Sequence, residues 1–522
     1  MKIKRTLVLA LVMAMAIVAI AGPARRDGRQ VVQANGEVIT VYLHGDEHFS
    51  WETDAEGNWI EMQSDGNYAI VPKLSNCEIQ CRRKASPTYS AHTMAQAALP
   101  QRGVIILANY TDVSITTDIN SISNAMAQEG YTNPSVGAVG SAHDYFKASS
   151  NGKYAPEFDV WGPYTVSKTA SGYCGSNGRN SDGYILINEV CSLAYNDGHS
   201  FAAYDQNGDY EVDFVYVIYA GYDQAQGAKN VLWAHAHNMV AAGVAKANRT
   251  YGGYSINKFA CSSELAGNSG TVQNGIGSFC HEFSHILGLP DYYVTNGETN
   301  PNYDLTCGEW DLMDYGCYNN NGWAPPLYSA YDRYFMGWET PIVMNMAAND
   351  TIPVTGTGEG STRVITATGQ KPLYTYTQDA WYIENRQKTG WDAYLPGHGL
   401  LVTKVKYNSS RWAGNTVNNS TPMLYDIQEA GGKLTFFGDP SDTYPGSMNI
   451  TTYTPTGSYT LSEINELSDG RVAYKFMGGV TPTGMENGKW GMENGKLKIE
   501  NGIIVIEREG WKYDLLGNRI CR

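Results

Sequence analysis

The sequence has few charged residues and little positive charge. Only 17% of its 522 residues are Asp, Glu, Lys or Arg, and 52 acidic residues against 37 basic ones give a net charge of −15. Proteins that bind nucleic acid usually present a basic face to the phosphates, which this balance does not favour. The composition therefore predicts no nucleic-acid partner.

Long apolar runs are also lacking, with one exception at the N-terminus. Three basic residues within the first five positions precede an apolar stretch from residue 7 to residue 20, and Ala19-Ile20-Ala21 supplies the small residues of a cleavage site. The run is short for a membrane span and has the layout of a secretory signal peptide. We predict a signal peptide at residues 1–21 with Gly22 after the cut, no membrane span, and a secreted, extracellular or cell-surface protein.

No CxxC pair occurs, which argues against a cysteine zinc ribbon. Nine cysteines in an exported chain instead favour disulfide bonds. Several pairings are open, so none is assigned. The cysteines in the central part of the chain are Cys174, Cys191, Cys261, Cys280, Cys307 and Cys317.

The strongest functional pattern is His281-Glu282-Phe283-Ser284-His285. Residues four apart share one face of a helix, so both imidazoles can bind a single metal ion. A glycine and a proline then end the helix, and the returning chain offers Asp291 as a third ligand. The spacing predicts a zinc site. A helix-exit turn carboxylate is the alternative for Asp291, in which case Asp311 or Asp314 would complete the ligand set.

Glu282 lies between the two histidines and is the candidate general base. A zinc ion lowers the pKa of its bound water to about 7 and polarises a carbonyl group. A neighbouring carboxylate can take the remaining proton and pass it to the leaving amine. A merely solvated carboxylate is the alternative for Glu282, and the motif favours the catalytic role.

Changes in the sequence pattern divide the rest of the chain. Residues 22–98 contain alternating strands, such as 38–43, and Asx-Gly turn signals. Residues 99–338 alternate buried strands, predicted at 104–108 and 213–221, with helices, predicted at 121–126 and 141–148, which indicates a mixed α/β domain. Short β-rich runs between Gly, Asn and Pro turns predict an all-β sandwich at 339–478. Repeated Asn-Gly pairs predict hairpins at 479–522.

Residues 22–98 lie between an export signal and a protease-like domain. We therefore interpret them as a pro-segment that keeps a peptidase latent, with an ordinary N-terminal β-module as the alternative. Latency requires a side chain at the open position of the zinc, and Asp46, Cys77 and Cys81 are the candidates. Asp46 is favoured because cysteines outside the cell are commonly oxidised.

Oxygen-bearing side chains recur at nearly every second position between residues 205 and 213. Hard oxygen ligands at this spacing suit calcium. A full EF-hand is not predicted, because Tyr210 stands where that loop requires glycine. The pattern predicts a compact calcium loop, with a plain acidic turn as the alternative; its ligands would be Asp205, Asn207, Asp209 and Asp213.

The zinc motif and its surroundings resemble the immune inhibitor A family of secreted bacterial metallopeptidases. His281-Glu282-Phe283-Ser284-His285 and the eight residues after it look like the zinc signature of that family, which is similar to the metzincins but carries Asp in place of their usual third His. The likeness covers roughly residues 35–475. Further family landmarks are at residues 44–47, 232–235, 309–313 and 384–386.

This resemblance implies an α/β (α+β) zincin-like catalytic domain at 99–338 with zinc as cofactor. It also implies that Met313 is the methionine beneath the zinc, with an ordinary core methionine as the alternative. Tyr315 stands where some metzincins place a tyrosine that stabilises the oxyanion, with a wall residue as the alternative. The ending Tyr-Asp-Leu-Leu-Gly-Asn-Arg-Ile resembles a type IX secretion sorting tail, which implies recognition by outer-membrane secretion machinery.

These patterns together predict a secreted zinc-dependent endopeptidase, made as a latent zymogen, that acts on protein or peptide substrates. A surface adhesin or glycan- or matrix-binding protein with a vestigial protease core is one alternative, and zinc hydrolysis of a non-peptide bond is another. An intact His281-Glu282-His285 set argues against the first alternative, because binding alone does not require a general base.

Overall fold

The computed structural model describes residues 22–75, 78–79, 99–174, 183–297, 300–432 and 435–480, together with the backbone of four strands between residues 495 and 521. The predicted signal peptide, Cys77 and Cys81 lie outside these residues. Within the described part, no helix combines the length and apolarity of a membrane span.

The described chain is a mixed α/β structure with several sheets and few helices. The helices are α1 (Ile119–Ala127), α2 (Ala142–Ser149), α3 (Gly183–Asn196), α4 (Gly277–Leu287), α5 (Ala330–Phe335) and α6 (Ser409–Ala413). Short 3-10 turns lie at Ala170–Tyr173, Phe201–Tyr204, Gln224–Gln226, Lys246–Arg249, Gly308–Trp310, Tyr315–Gly322 and Gly390–Tyr394.

Residues 29–70 form an antiparallel five-stranded sheet in sequence order. The strand predicted at 38–43 is confirmed and extends to Asp46. Alternate residues of the third strand are buried, and Trp51 packs on Tyr303 of the following region with ring centroids 5.7 Å apart. The strands are β1 (Arg29–Val32), β2 (Val38–Asp46), β3 (Phe49–Thr53), β4 (Trp59–Met62) and β5 (Tyr68–Ile70).

A second five-stranded sheet packs against the helix that carries the predicted site, and its strand order is β10-β13-β9-β6-β7. Strands β6, β7, β9 and β13 run parallel to one another, and the edge strand β10 pairs antiparallel with β13. The predicted buried strands and both predicted helices, α1 and α2, are confirmed. The strands are β6 (Arg102–Asn109), β7 (Glu157–Thr165), β9 (Val215–Tyr219), β10 (His235–Asn238) and β13 (Lys258–Ser263).

Both faces of this sheet are covered, which explains why its central strands are apolar without interruption. Ile105 and Tyr216 pack on the α4 side, whereas Val104 and Val217 pack on the α3 side. The sheet therefore supports α4 from below. A small separate sheet consists of β8 (Glu211–Val212), β11 (Thr250–Tyr251) and β12 (Tyr254–Ile256).

Two further sheets follow residue 340, with orders β14-β16-β17-β18-β19 and β15-β22-β21-β20. Side chains from both sheets, including Ile383 and Phe476, share one buried cluster. The strands are β14 (Ile342–Val343), β15 (Ala348–Ile352), β16 (Thr362–Thr366), β17 (Ala380–Arg386), β18 (Gly399–Val405), β19 (Tyr425–Ile427), β20 (Tyr453–Thr456), β21 (Tyr459–Glu466) and β22 (Val472–Phe476).

The end of the chain forms an antiparallel meander. Its first two strands pair up to Glu500 and Ile503, the residues that flank Asn501-Gly502, so the hairpin predicted there is confirmed. The strands are β23 (Gly495–Glu500), β24 (Ile503–Arg508), β25 (Trp511–Tyr513) and β26 (Arg519–Cys521).

The disulfide prediction is not supported for five of the central cysteines, Cys191, Cys261, Cys280, Cys307 and Cys317, which are free and buried. Each thiol fills a small space in an apolar core, as a small hydrophobic side chain does. Burial accordingly raises the pKa of the Cys280 thiol well above its ordinary value. The predicted disulfides were inferred from export alone, and export does not bring two thiols together.

Asp223 is a buried carboxylate in the loop after β9. Its Oδ1 accepts the N–H groups of Ala225 (2.8 Å) and Ala234 (3.0 Å), whereas its Oδ2 has no hydrogen-bond partner. Burial raises the pKa of Asp223 to about 7. The folded chain therefore favours the protonated acid at this position.

We expect Asp223→Asn to stabilise the protein above neutral pH. An amide keeps the Oδ1 acceptor and removes the charge. Because the folded pKa lies above the ordinary value, the parent loses stability as the pH rises from about 4 through about 7, and the variant does not. The free energy of unfolding should rise by about 1–2 kcal/mol at pH 8 and stay nearly unchanged at pH 4. The melting temperature at each pH reports this difference. A gain that does not depend on pH would contradict this, and Asp469→Asn at an exposed carboxylate is the control.

Candidate metal centre

The predicted metal motif lies on α4, whose residues are all buried. Phe279 and Phe283 pack into the core between α4 and the sheet, which leaves the two histidines on the opposite side of the helix. The first residue of the helix, Gly277, allows a close approach, since an added Cβ would lie 1.9 Å from the carbonyl oxygen of Cys317. Gly288 ends the helix at φ 108°, a left-handed conformation that suits glycine, as the sequence predicts.

The structure brings together the three residues predicted to bind zinc. The Nε2 atoms of His281 and His285 are 3.1 Å apart, and Oδ1 of Asp291 lies 3.2 Å and 3.3 Å from them. Among the described residues, this trio is the group of His, Cys, Asp or Glu whose ligand atoms all lie within 4.8 Å of one another. All three side chains are fully buried, so three polar atoms converge on one small space.

The hydrogen bonds of the two imidazoles fit metal binding. Nδ1 of His281 lies 2.7 Å from the carbonyl oxygen of Leu312, and Nδ1 of His285 lies 2.8 Å from that of Leu289. A carbonyl oxygen only accepts, so each Nδ1 must carry the proton and donate it. Each Nε2 then presents a lone pair to a metal ion. This donor set of two imidazoles and one carboxylate suits zinc.

The alternative ligands have other partners. Asp311 accepts the N–H of Met313 (2.8 Å) and the hydroxyl of Tyr425 (2.7 Å). Asp314 accepts the N–H groups of Gly308 (3.0 Å) and Tyr315 (2.9 Å). Both carboxylates therefore hold the loop after the metal site in shape.

Glu282 directs its carboxylate toward the same space. Its Oε1 accepts the N–H of Gly22 at 2.9 Å, and its buried Oε2 has no hydrogen-bond partner. Burial raises the pKa of Glu282 well above its ordinary value, and the neighbouring carboxylate of Asp291 adds to this. A carboxylate with a high pKa and an unoccupied oxygen is suited to accept a proton.

Asn415, 124 residues further along the chain, supports the third ligand. Its Oδ1 accepts the N–H of Asp291 at 2.7 Å, and its Nδ2 donates to Oδ2 of the same residue. Asn415 is 5% exposed and has φ 50°, a left-handed conformation that asparagine tolerates better than most residues. The amide thus fixes both ends of Asp291 and leaves its Oδ1 toward the histidines. No pattern near residue 415 indicates this role.

We expect Asn415→Asp to weaken zinc retention about 10- to 100-fold, because a carboxylate would then face the carboxylate of Asp291. Zinc transfer to a chromophoric chelator measures the effect without reference to activity. Asn419→Asp is the matched control, since Asn419 bonds Thr295 rather than a ligand. Equal zinc retention in the two variants would contradict the role of Asn415.

Met313 and Tyr315 lie in the loop that contacts His281 through the carbonyl oxygen of Leu312. Met313 is completely buried, and its carbonyl oxygen accepts the N–H of Tyr292, next to Asp291, at 2.9 Å. The hydroxyl of Tyr315 donates to Oδ1 of Asp27 at 2.8 Å. Burial raises the pKa of Tyr315 well above its ordinary value, so this hydroxyl remains a donor.

The predicted calcium loop is exposed, and its oxygen atoms accept backbone N–H groups. Oδ1 of Asp205 accepts from Gly208 (2.8 Å) and Asp209 (3.1 Å), and Oδ2 of Asp213 accepts from Gln206 (3.1 Å). Asn207 and Asp209 accept similarly from Asp209 (2.9 Å) and Glu211 (2.8 Å). Calcium binding there stays a prediction.

The segment of residues 22–27 lies in the cleft of the site, which sequence reasoning missed. The indole N–H of Trp233 donates to the carbonyl oxygen of Gly22 (3.0 Å), and the hydroxyl of Tyr318 donates to that of Pro23 (2.8 Å). A Cβ added to Gly22 would lie 3.6 Å from Cδ2 of His281. No local sequence signal marks this segment, because these three contacts join residues more than 200 positions apart.

Asp46, the favoured latency residue, is buried at the tip of the β2–β3 hairpin. Its Oδ1 accepts the N–H groups of His48 (2.9 Å) and Phe49 (3.0 Å). The hairpin supports the segment of residues 22–27 through the carbonyl oxygen of Gly45, which accepts the N–H of Ala24 at 3.0 Å.

A histidine pair on a helix, a carboxylate ligand and an intervening glutamate define a metallopeptidase-type centre. Residues 123–339 match the family model of the immune inhibitor A peptidase M6 catalytic domain. The match covers about two fifths of the chain and includes all the residues of this centre. It supports a metallopeptidase hydrolase.

Two relatives agree with this class. A protein of Arthroderma benhamiae, described by name as a secreted metallopeptidase, is 25% identical over 214 residues, which are 35% of this chain and 31% of the relative. The pre-pro-metalloprotease PrtV of Vibrio cholerae is 24% identical over 238 residues, which are 40% of this chain and 25% of PrtV. The chain thus spans about a quarter to a third of the length of the curated relatives it matches.

Proposed function

We propose that the chain is a secreted zinc-dependent endopeptidase that hydrolyses peptide bonds of extracellular proteins. The observation that carries this is the pair of Nε2 atoms 3.1 Å apart, each freed for metal binding by a carbonyl partner at Nδ1. The buried carboxylates of Asp291 and Glu282 complete the arrangement.

The chemistry divides between the metal and the chain. A bound zinc ion supplies the Lewis acidity that polarises a substrate carbonyl and activates water. His281, His285 and Asp291 would hold the ion. Glu282 takes a proton at Oε2, the oxygen without a partner, and passes it to the leaving amine. We assign Tyr315 to the wall of the cleft, the alternative to an oxyanion role, because its hydroxyl donates to Asp27, five residues beyond Gly22.

Zinc content and cleavage together test this function. The secreted protein is analysed for metal and incubated with casein, with and without a chelator. Stoichiometric zinc and chelator-sensitive cleavage are the expected result. Stoichiometric zinc without cleavage would favour hydrolysis of a non-peptide bond, and absence of both would favour the adhesin or glycan- and matrix-binding alternative.

The same observations support synthesis as a latent zymogen. Residues 22–27 occupy the space above the ligands, and the N–H of Gly22 engages Oε1 of Glu282. A substrate cannot reach the metal while they remain there. Asp46 has its Oδ1 engaged in its own turn, so we assign latency to this segment and a supporting role to the hairpin of Asp46. The other candidates, Cys77 and Cys81, lie outside the described residues.

Ala24→Glu is expected to activate the unprocessed chain. Ala24 is fully buried among Leu43, Ala225 and Trp233, and a carboxylate without a partner is costly there, so the segment should leave the cleft. Cleavage of a fluorogenic peptide by the unprocessed chain should rise about tenfold or more.

Ala34→Glu, at an exposed position of the same N-terminal unit, is the control and should remain latent. N-terminal sequencing must show that both samples are unprocessed. Latency retained in Ala24→Glu but lost in Asp46→Ala would assign the role to Asp46 instead.

The remaining predictions complete the proposal. Residues 339–478 would form a β-sandwich attached to the catalytic domain, for which the buried cluster shared by two sheets is the support. Residues 479–522 would be a tail that outer-membrane secretion machinery recognises. Calcium at residues 205–213 would raise the melting temperature of the parent, and this gain should be absent in Asp209→Ala.

A further inference from the structure

The side chain of Arg26 is held in a clamp made by three residues. Its guanidinium carbon lies 4.0 Å from the ring centroid of Tyr303 and 3.7 Å from that of Phe436. Its Nη1 donates to Oδ1 of Asp304 at 2.6 Å. Two aromatic faces and one carboxylate match the planar charged guanidinium, and the Arg26 side chain is only 10% exposed.

None of the three residues that form the clamp belongs to the N-terminal unit. All three belong to the part of the chain that remains when residues 22–98 are removed. The ring of Phe436 packs on Tyr315 and Phe437, with centroids 5.2 Å and 4.7 Å apart. Release of the N-terminal unit would uncover these three side chains, and it would also remove Trp51, which packs on Tyr303 with ring centroids 5.7 Å apart.

The chain direction of residues 22–27 relates the position of Arg26 to the hydrolysis reaction. The nitrogen of Gly22 donates to Oε1 of Glu282. Pro23 then contacts Tyr318, Ala24 contacts Gly45, and Arg26 contacts Asp304, so the later residues of the segment bond to groups other than the three metal ligands. When a peptide bond is hydrolysed, the product that follows the cut bond begins with the amine that Glu282 has protonated. The new amino terminus of that product therefore lies next to Glu282. Residues 22–26 are thus placed like the first five residues after a cut bond, and Arg26 corresponds to the fifth.

We propose that Tyr303, Asp304 and Phe436 form a substrate subsite that selects arginine at the fifth position after the cleaved bond. The proposal rests on the peptidase function proposed above and names a substrate class for it, namely arginine-containing polypeptides. Lysine fits less well, because its ammonium group cannot stack as a plane between two rings. Arg25 differs from Arg26: its guanidinium carbon lies near one ring only, 5.8 Å from the centroid of Tyr318, and the carboxylate it contacts, Asp27 at 2.8 Å, belongs to the segment itself.

The subsite is tested by cleavage of peptide mixtures with the processed protein. Mass spectrometry identifies the cut bonds and the residues after them, for the parent and for Asp304→Asn and Phe436→Leu. The parent should enrich arginine at the fifth position, and both variants should lose that enrichment while still cleaving peptides.

A matched pair of peptides then measures the effect. One selected peptide is made with arginine and with citrulline, which has nearly the same shape and no charge, at the fifth position. We expect kcat/KM to favour arginine over citrulline about tenfold in the parent and less than about threefold in Asp304→Asn.

The outcomes separate this inference from the function beneath it. Cleavage without preference at the fifth position, or arginine selected before the cut bond, overturns the subsite and leaves the peptidase intact. A zinc-loaded protein that cleaves no peptide overturns both.

Discussion

Glu282→Gln is expected to lower the turnover of peptide-bond hydrolysis about 10²- to 10⁴-fold, the range that a positioned general base contributes. The amide has nearly the same shape as the carboxylate, so it can still accept the N–H of Gly22 in the zymogen. It cannot take up a proton at the position of Oε2. Because Glu282 is not a ligand in this arrangement, the zinc content should stay at that of the parent.

Turnover of a fluorogenic peptide and elemental zinc analysis are measured on the same samples. Both proteins are processed by one added serine protease, which is then inhibited, so that a failure of self-processing does not imitate a failure of catalysis. Glu309→Gln is the control, since Glu309 lies in the matched region but outside the metal centre. Turnover within threefold of the parent would remove Glu282 from the mechanism.

Arg386→Met is expected to destabilise the protein by about 3–5 kcal/mol, the usual cost of breaking a buried ion pair by removing one partner. Nε and Nη2 of Arg386 donate to Asp392 at 2.7 Å and 2.6 Å, and Nη1 lies 3.5 Å from Glu384. Glu384 also pairs with Arg333 of α5 at 3.0 Å. All four side chains are almost completely buried, so the variant would leave Asp392 without its compensating charge.

Thermal and denaturant unfolding measure this loss. Arg102→Met is the control: its partner Asp159 is partly exposed, and surface ion pairs contribute little. The double variant Arg386→Met/Asp392→Leu should recover part of the stability, because it also removes the carboxylate that was left unpaired. A melting temperature as little changed as that of Arg102→Met would show that this network does not stabilise the fold.

The predicted centre depends on short-range geometry, which explains why sequence reasoning reached it. The helical repeat places His281 and His285 on one face, and a left-handed Gly288 returns the chain to Asp291 within six residues. The buried strands and the Asn501-Gly502 hairpin are equally local patterns. The disulfide prediction lacked such a basis, since pairing depends on where distant thiols meet in the fold.

The sequence by itself determined the helical histidine pair, its intervening glutamate, the third carboxylate and the class of hydrolase that they indicate, because each follows from backbone repeats over a few residues. Only the tertiary structure decided what surrounds that centre. Asn415 approaches Asp291 across 124 positions, Gly22 approaches Glu282 across 260, and Arg26 approaches Asp304 across 278. Such contacts depend on how distant sheets and loops pack against one another, and no local pattern in a single sequence indicates that packing.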